Sequence, residues 1–167
     1  MPLNIATHSG PFHADDVLAC ALLRVFVDAD ATVTRTRDAE VLDQADVVVD
    51  VGGRFDAAAA RFDHHQATYE GSLSSAGMVL GWLADTGRVG QPLATRLRRE
   101  IVDYVDDVDN GRRSPDPAVP CFPLVVQALN QPASTLAEFD LAFEGAVSIG
   151  VACLRGMVAA QAAEDEA

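Results

Sequence analysis

The spacing of apolar positions predicts strands that alternate with helices in the first third of the chain. Runs rich in β-branched residues that end at glycine or polar residues are typical of strands, and a continuous apolar run suits a buried parallel strand. The strand candidates are residues 3–7, 31–36, 47–51 and 61–63. Helices are expected over residues 17–26, begun by Asp15 or Asp16, and over residues 39–44. This alternation predicts an α/β fold, in which a parallel sheet carries helices on both faces.

The second half of the chain is predicted to be mostly helical. One helix is expected from residue 74 to 85, and another from Pro92 to the acidic stretch before Gly111. Residues 114–123 carry four prolines and predict an irregular connector. Thr135 and Glu138 have the spacing of a capping box for a final long helix. We therefore expect a single domain over residues 1–160, with a helical C-terminal part, and an acidic tail over residues 161–167.

Charge and composition narrow the classes of partner. The formal net charge is −13 and there is no lysine, so a long nucleic-acid duplex is a poor partner, because phosphate neutralisation needs basic side chains. No apolar run suggests a membrane span, and no signal peptide is visible. Cys20, Cys121 and Cys153 lack metal-type spacing, and Cys20 and Cys153 lie in apolar, helix-like stretches, which favours buried thiols in a reducing compartment. These features predict a cytoplasmic protein that acts on small phosphorylated molecules or short oligonucleotides.

All histidines of the chain lie in two short segments that also carry aspartates. Residues 7–16 contain His8 and His13, and residues 61–65 contain His64 and His65. Histidines used for packing or for the surface would not segregate in this way. Imidazole and carboxylate groups together suit first-row divalent metals such as manganese, zinc or iron.

The histidines of these segments follow predicted strands, and Asp50 lies at the end of another. In an open parallel sheet, ligands bind beyond the carboxyl ends of the strands, so the side chains should meet at one edge. His64 and His65 are adjacent and would point to opposite sides of an extended segment, which predicts different roles for them. A carboxylate such as that of Asp50 can bridge two ions. The sequence therefore predicts a metal centre at this edge.

Residues 63–65 read Asp-His-His, the signature of the DHH phosphoesterases, which include RecJ-type exonucleases, nano-RNases and family II inorganic pyrophosphatases. Four further motifs occur in the order found in the MYG1 family, also called UPF0160, which the chain resembles more closely. The matching segments are residues 7–19, 48–53, 61–66, 73–77 and 105–111. The resemblance implies a parallel-sheet DHH-type domain. Members of this family usually carry a second, C-terminal half, which would grip the substrate.

The resemblance also implies two divalent cations, with manganese favoured and magnesium, zinc or cobalt as alternatives. The first ion would be held by His8, His13 and Asp50, and the second by Asp15, Asp50, His64 and Asp109. Asp106 is the alternative to Asp109. We prefer Asp109 because Asp-Asn-Gly resembles the Asp-Thr-Gly of related phosphoesterases. Asp16 is interpreted as a helix cap only.

The remaining site residues are assigned by the same resemblance. His65 would contact the substrate phosphate or share in metal binding, and Asp63 would orient an imidazole. Candidate phosphate-binding residues are Arg61, Ser75 and Arg112, although Ser74 and Ser75 also suit a helix N-cap.

Three functions are compatible with these residues. The first is a two-metal phosphoesterase acting on short RNA or nucleotide-like esters. The second is a phosphoanhydride hydrolase of the pyrophosphatase type. The third is a metal-binding domain without catalysis, which would work through a partner chain or as a homo-oligomer. A serine hydrolase is disfavoured, because no Gly-x-Ser-x-Gly motif is present.

Overall fold

Five strands form one sheet in the computed structural model, which describes residues 1–167. The strands are β1 (Asn4–Thr7), β2 (Thr32–Arg35), β3 (Val47–Val49), β4 (Phe55–Asp56) and β5 (Arg61–Phe62). Their order in the sheet is β2-β1-β3-β5-β4. Strands β2, β1, β3 and β5 run parallel to one another. The edge strand β4 pairs antiparallel with β5. The predicted parallel α/β sheet is confirmed, with one edge strand, β4, that the sequence did not predict.

Side chains of the central strands alternate between two apolar layers. Ile5 of β1 pairs with Val47 of β3, and both face the main core with α1 (Ala14–Phe26). Ala6 and Val48 point the other way and pack with Leu42 of α2 (Ala39–Gln44). Both faces are buried, which explains why these strands are continuous apolar runs. Helices therefore cover both faces of the sheet, as predicted.

The second half of the chain is helical. Its helices are α3 (Ser75–Asp85), α4 (Gln91–Leu97), α5 (Asp103–Asp109), α6 (Phe122–Asn130) and α7 (Leu136–Asp165). A π-helical segment, Arg98–Val102, joins α4 to α5. The sequence did not predict α6, which begins at the end of the expected connector. Pro123 lies in its first turn, where a missing N–H costs no helical hydrogen bond.

The start of α7 is fixed by the predicted capping box. The Thr135 hydroxyl accepts a hydrogen bond from the Glu138 N–H (3.3 Å), and the Glu138 carboxylate accepts one from the Thr135 N–H (3.0 Å). The helix continues to Asp165, so the boundary expected at residue 160 falls inside a regular element.

By length and composition, α7 is apolar enough to cross a membrane. The expectation that no apolar segment is long enough to cross a membrane is therefore wrong for α7. In the structure one face of the helix packs against α1, with Phe143, Val147 and Leu154 buried. A helix that packs on a protein core meets the same criterion, so this finding alone does not indicate a membrane segment.

Candidate metal centre

The six predicted metal ligands converge at the carboxyl edge of the sheet. His8 follows β1, Asp50 follows β3, and His64 follows β5. Of the other three, His13 precedes α1, Asp15 lies in the first turn of α1, and Asp109 lies at the end of α5. Three parallel strands therefore deliver their ligands to the edge that the topology predicts.

Asp50 lies at the centre of this cluster. Its Oδ2 is 3.3 Å from His8 Nε2, and its Oδ1 is 3.4 Å from His64 Nε2. The residue has a left-handed backbone (φ 56°), an uncommon conformation for a residue with a Cβ, and Gly52 and Gly53 after it also have positive φ. This turn directs the buried carboxylate between the two histidines. One oxygen thus faces each predicted ligand set, as a bridging carboxylate requires.

Each predicted set is compact. Donor atoms of His8, His13 and Asp50 all lie within 4.8 Å of one another. In the second set, His64 Nε2 is 3.0 Å from Asp109 Oδ2 and 3.8 Å from Asp15 Oδ2, in addition to its contact with Asp50. Nitrogen and oxygen donors at these separations can close around a cation.

Asp15 shows most directly that the cluster suits a cation. It is fully buried, and neither of its carboxylate oxygens has a hydrogen-bond partner. Burial raises its pKa well above the usual range, and repulsion from Asp50 and Asp109 raises it further. Buried carboxylates are normally paired, hydrogen-bonded or bound to a metal. The donor set around Asp15 fits a divalent cation.

Charges within the cluster are strongly coupled. Burial would lower the pKa of His8, but hydrogen bonds to Asp16 and Asp50 raise it to about 10. His64 behaves in the same way: burial would lower its pKa, and the carboxylates of Asp109 and Asp50 raise it to about 10. For Asp50, burial would raise the pKa, but the bonds from His64 and His8 hold it below its usual range. The neighbouring carboxylates therefore favour the protonated form of both imidazoles.

His64 and His65 have different environments, as their adjacency predicts. The His64 side chain is 7% exposed, whereas that of His65 is 59% exposed. Asp63 Oδ1 accepts a hydrogen bond from the backbone N–H of His65 (3.1 Å). The same oxygen lies 2.7 Å from Nδ1 of the His65 ring. Asp63 Oδ2 accepts a bond from the Gly53 N–H (2.6 Å). The buried Asp63 carboxylate thus fixes the orientation of the His65 ring.

Comparison with known proteins shows the family. The MYG1 exonuclease model, described as uncharacterised protein family UPF0160, matches residues 4–160. The chain belongs to this MYG1 family. A MYG1 protein of Chlamydia muridarum is 51% identical over 114 residues, which are 67% of this chain and 39% of that protein. MYG1 exonucleases of Bos taurus and Homo sapiens are each 39% identical over 136 residues, 66% of this chain and 35% and 36% of those proteins.

This MYG1 chain therefore spans well under half the length of those relatives. No solved structure matches it. The placement within the wider DHH superfamily stays a prediction from the motifs.

In this MYG1 chain Asp109 lies in the cluster, and Asp106 does not. The buried Asp106 Oδ1 accepts hydrogen bonds from the Ser74 N–H (3.0 Å), the Ser74 hydroxyl (2.7 Å) and the Gly77 N–H (3.2 Å). Asp106 therefore caps the first turn of α3, a task expected of Ser74 itself. Ser74 occupies the N-cap position, but its hydroxyl makes no capping bond to the helix.

The predicted phosphate-binding residues are not available for that role. The Arg61 guanidinium lies at the opposite end of β5 and donates to backbone carbonyls, including those of Ala45 and Ala59 (3.1 Å each). Arg112 Nε is 2.8 Å from Asp107 Oδ1, away from the cluster. Ser75 is fully buried, and its hydroxyl is 3.4 Å from Asp50 Oδ1. Ser75 thus supports a metal ligand, and the structure does not bring Arg61 or Arg112 to the centre.

Asp16 takes part in the cluster in a way that the sequence did not reveal. Its Oδ1 accepts a hydrogen bond from the His13 N–H (2.9 Å), so it caps α1 from the third helical position. The N-cap position itself is held by His13 and not, as expected, by Asp15 or Asp16. Its Oδ2 also lies 3.2 Å from His8 Nε2. Asp16 is fully buried, so it both caps α1 and holds the His8 imidazole.

Two cavities flank the cluster and share His13 and His65. One, of about 510 Å³, lies towards α5 and α6 and has apolar walls that include Phe12 and Val108. The other, of about 600 Å³, lies towards the end of β2, where Arg37 lines it, and we call it the polar recess because Val51 is the only hydrophobic residue in its wall. The centre therefore lies between an apolar recess and a polar recess.

Proposed function

We propose that this chain is a metal-dependent phosphoesterase domain that hydrolyses short oligonucleotides or nucleotide-like phosphoesters. The observation that carries the proposal is Asp15, a fully buried carboxylate with no hydrogen-bond partner inside a cluster of imidazoles and carboxylates. The printed name of the bovine and human relatives, MYG1 exonuclease, supports phosphodiester cleavage as the reaction.

Two divalent ions fit the donor atoms. His8, His13 and Asp50 would hold one, and Asp15, Asp50, His64 and Asp109 the other. The donors are nitrogen and oxygen with no thiolate, which favours manganese, with magnesium, zinc or cobalt as alternatives. When bound, the ions supply positive charge to the phosphoryl oxygens and make a water molecule more acidic.

The protein groups around the metals would position the substrate. Because Asp63 holds His65 Nδ1, Nε2 is the ring nitrogen left to face a phosphoryl oxygen. His65 borders both cavities, so it would contact an ester that lies across the centre.

The apolar cavity favours an ester over inorganic pyrophosphate. Pyrophosphate has no apolar part, whereas a nucleotide carries a base that can fill a recess walled by Phe12, Val108 and Val126. Gln127 of α6 also lines this recess and is exposed. Its side-chain amide makes no hydrogen bond within the chain, so it is free to bind the edge of a base. The polar recess would take the phosphate.

The test is manganese-dependent hydrolysis of a panel that contains pyrophosphate, dinucleotides, short RNA and short DNA. We expect cleavage of the esters, and loss of that cleavage in Asp50→Asn. Asp43→Asn is the matched control, because Asp43 is exposed on α2 and makes no side-chain contact with the cluster. Preference for pyrophosphate would support a phosphoanhydride hydrolase. Metal binding without hydrolysis of any compound would support a non-catalytic domain.

A further inference from the structure

Arg37 lines the polar cavity beside the candidate metal centre, in the loop after a strand that carries no predicted metal ligand. It follows the end of β2 (Thr32–Arg35) by two residues, and β2 pairs parallel with β1. The carboxyl end of β2 therefore lies on the same edge of the sheet as His8. Arg37 lines the polar cavity together with His8, Asp50 and His65.

The Arg37 guanidinium has no partner within the chain, which is unusual in this protein. There are 12 basic residues, all of them arginine. Seven form ion pairs, namely Arg24, Arg35, Arg54, Arg96, Arg98, Arg99 and Arg112. Arg61 donates to backbone carbonyls, and Arg88 and Arg113 lie over aromatic rings. Only Arg37 and Arg155 make none of these contacts, and Arg155 lies on α7 in a different cavity.

We propose that Arg37 binds a phosphate group of the substrate in the polar cavity. This inference rests on the function proposed above. A guanidinium matches the oxygens of a phosphate in a two-pronged hydrogen bond, and it keeps its charge at any physiological pH. The protein carries a net charge of −13, so an anion needs local positive charge to approach the centre. Arg37 supplies that charge beside the metals, whereas Arg61 and Arg112 are engaged elsewhere.

The experiment compares Arg37→Ala with Arg155→Ala in the manganese-loaded protein. Both residues are exposed and unpaired, and both substitutions remove one positive charge, so any difference reports position rather than net charge. For a dinucleotide substrate we expect Arg37→Ala to raise KM about 10- to 100-fold, the loss of a charged hydrogen bond. The kcat should change much less, because the metal ligands and His65 stay in place. Arg37→Lys should recover part of the loss, and Arg155→Ala should match the wild type.

Binding provides a readout that does not need turnover. Affinity for inorganic phosphate, measured by calorimetry on the manganese-loaded variants, should fall in Arg37→Ala and stay constant in Arg155→Ala. Equal phosphate affinity and equal KM in the two variants would overturn the role of Arg37. The wild-type protein could instead bind phosphate through Arg37 and hydrolyse no phosphoester. That result would support the role of Arg37 in phosphate binding and would overturn the proposed function.

Discussion

Asp15 opposes the stability of the metal-free protein. Its buried carboxylate lies near those of Asp50 and Asp109 and has no donor of its own. Asparagine has nearly the same shape, carries no charge and can donate hydrogen bonds to the neighbouring carboxylates. We expect Asp15→Asn to stabilise the metal-free protein by at least about 1 kcal/mol, or about 2–4 °C in Tm for a domain of this size.

The same substitution should reduce the rise in Tm that manganese produces, because it removes a ligand of the second proposed ion but none of the first. Thermal unfolding with and without manganese measures both effects. Asp43→Asn, which removes an exposed carboxylate, should leave both values unchanged. A lower Tm for metal-free Asp15→Asn would show that the carboxylate has a structural partner that this geometry does not explain.

The proposed metal binding should depend on pH through the histidines. Carboxylates raise the pKa of His8 and His64 from 6.5 to about 10 in the metal-free protein, so both rings are protonated near neutrality. A metal binds only the neutral imidazole, so binding must release protons. Manganese affinity should therefore rise with pH up to about 10. Calorimetry in buffers of different ionisation enthalpy measures the protons released, and an affinity that is constant from acid to mildly alkaline pH would contradict the proposed ligands.

Residue type and position after a strand were enough to predict that His8, Asp50 and His64 meet at one edge of the sheet, whereas Asp109, at the end of α5, was added by resemblance to the family. Imidazoles and carboxylates after parallel strands have few alternative places to meet, and all six converge. Arg61 and Asp16 show the limit of this reasoning. Arg61 is the first residue of β5, so it lies at the amino end of the strand, away from the ligands, although it is only three positions from His64. The contact of Asp16 with His8 depends on a side-chain conformation that sequence does not specify.

Among the elements, the start of α3 depends on close packing against α5. A Cβ added to Gly77 would lie 2.2 Å from Asp106 Oδ2, whereas one added to Gly81, in the same helix, would meet nothing closer than 3.6 Å. Gly77→Ala must displace the buried Asp106 carboxylate from its bonds to Ser74 and to the Gly77 N–H. We expect a loss of about 1–3 kcal/mol for the overpacking and a further loss of about 1 kcal/mol for the cap.

Gly81→Ala is the control, and it should be neutral or stabilising by up to about 1 kcal/mol through helix propensity. Urea denaturation of the two variants measures the difference. If Gly77→Ala were as stable as Gly81→Ala, the bonds of Asp106 to the start of α3 would contribute little.

Helix α6 and strand β4 were not predictable from local pattern. The nine residues of α6 include Pro123 and follow a proline-rich connector, and their helical state depends on packing against α1 and α7. Strand β4 has two residues and exists through its pairing with β5. Longer elements such as α1 and α7 carry several turns of apolar periodicity or a capping box, and they were predicted. The apolar recess next to the metal centre went unrecognised because α6 forms one of its walls.

For the whole molecule, the distribution of charge limits the size of the substrate. The net charge is −13, and the one unpaired arginine beside the metal centre is Arg37. Most other arginines are held by carboxylates or carbonyls, so no continuous basic surface leads away from the site. An oligonucleotide that extends past the two cavities gains no phosphate contacts and meets repulsion, which salt screens.

Hydrolysis should therefore depend little on strand length. In the proposed function, binding free energy would come from the phosphate at the centre, the base in the apolar recess and one neighbouring group, all of which a dinucleotide already provides. We expect kcat/KM to vary by less than about tenfold, equivalent to about 1.4 kcal/mol, between a dinucleotide and longer single strands. Steady-state kinetics on a length series at two salt concentrations measures this. A steep gain with length that disappears at high salt would mean that a second chain, or a basic surface outside residues 1–167, holds the strand.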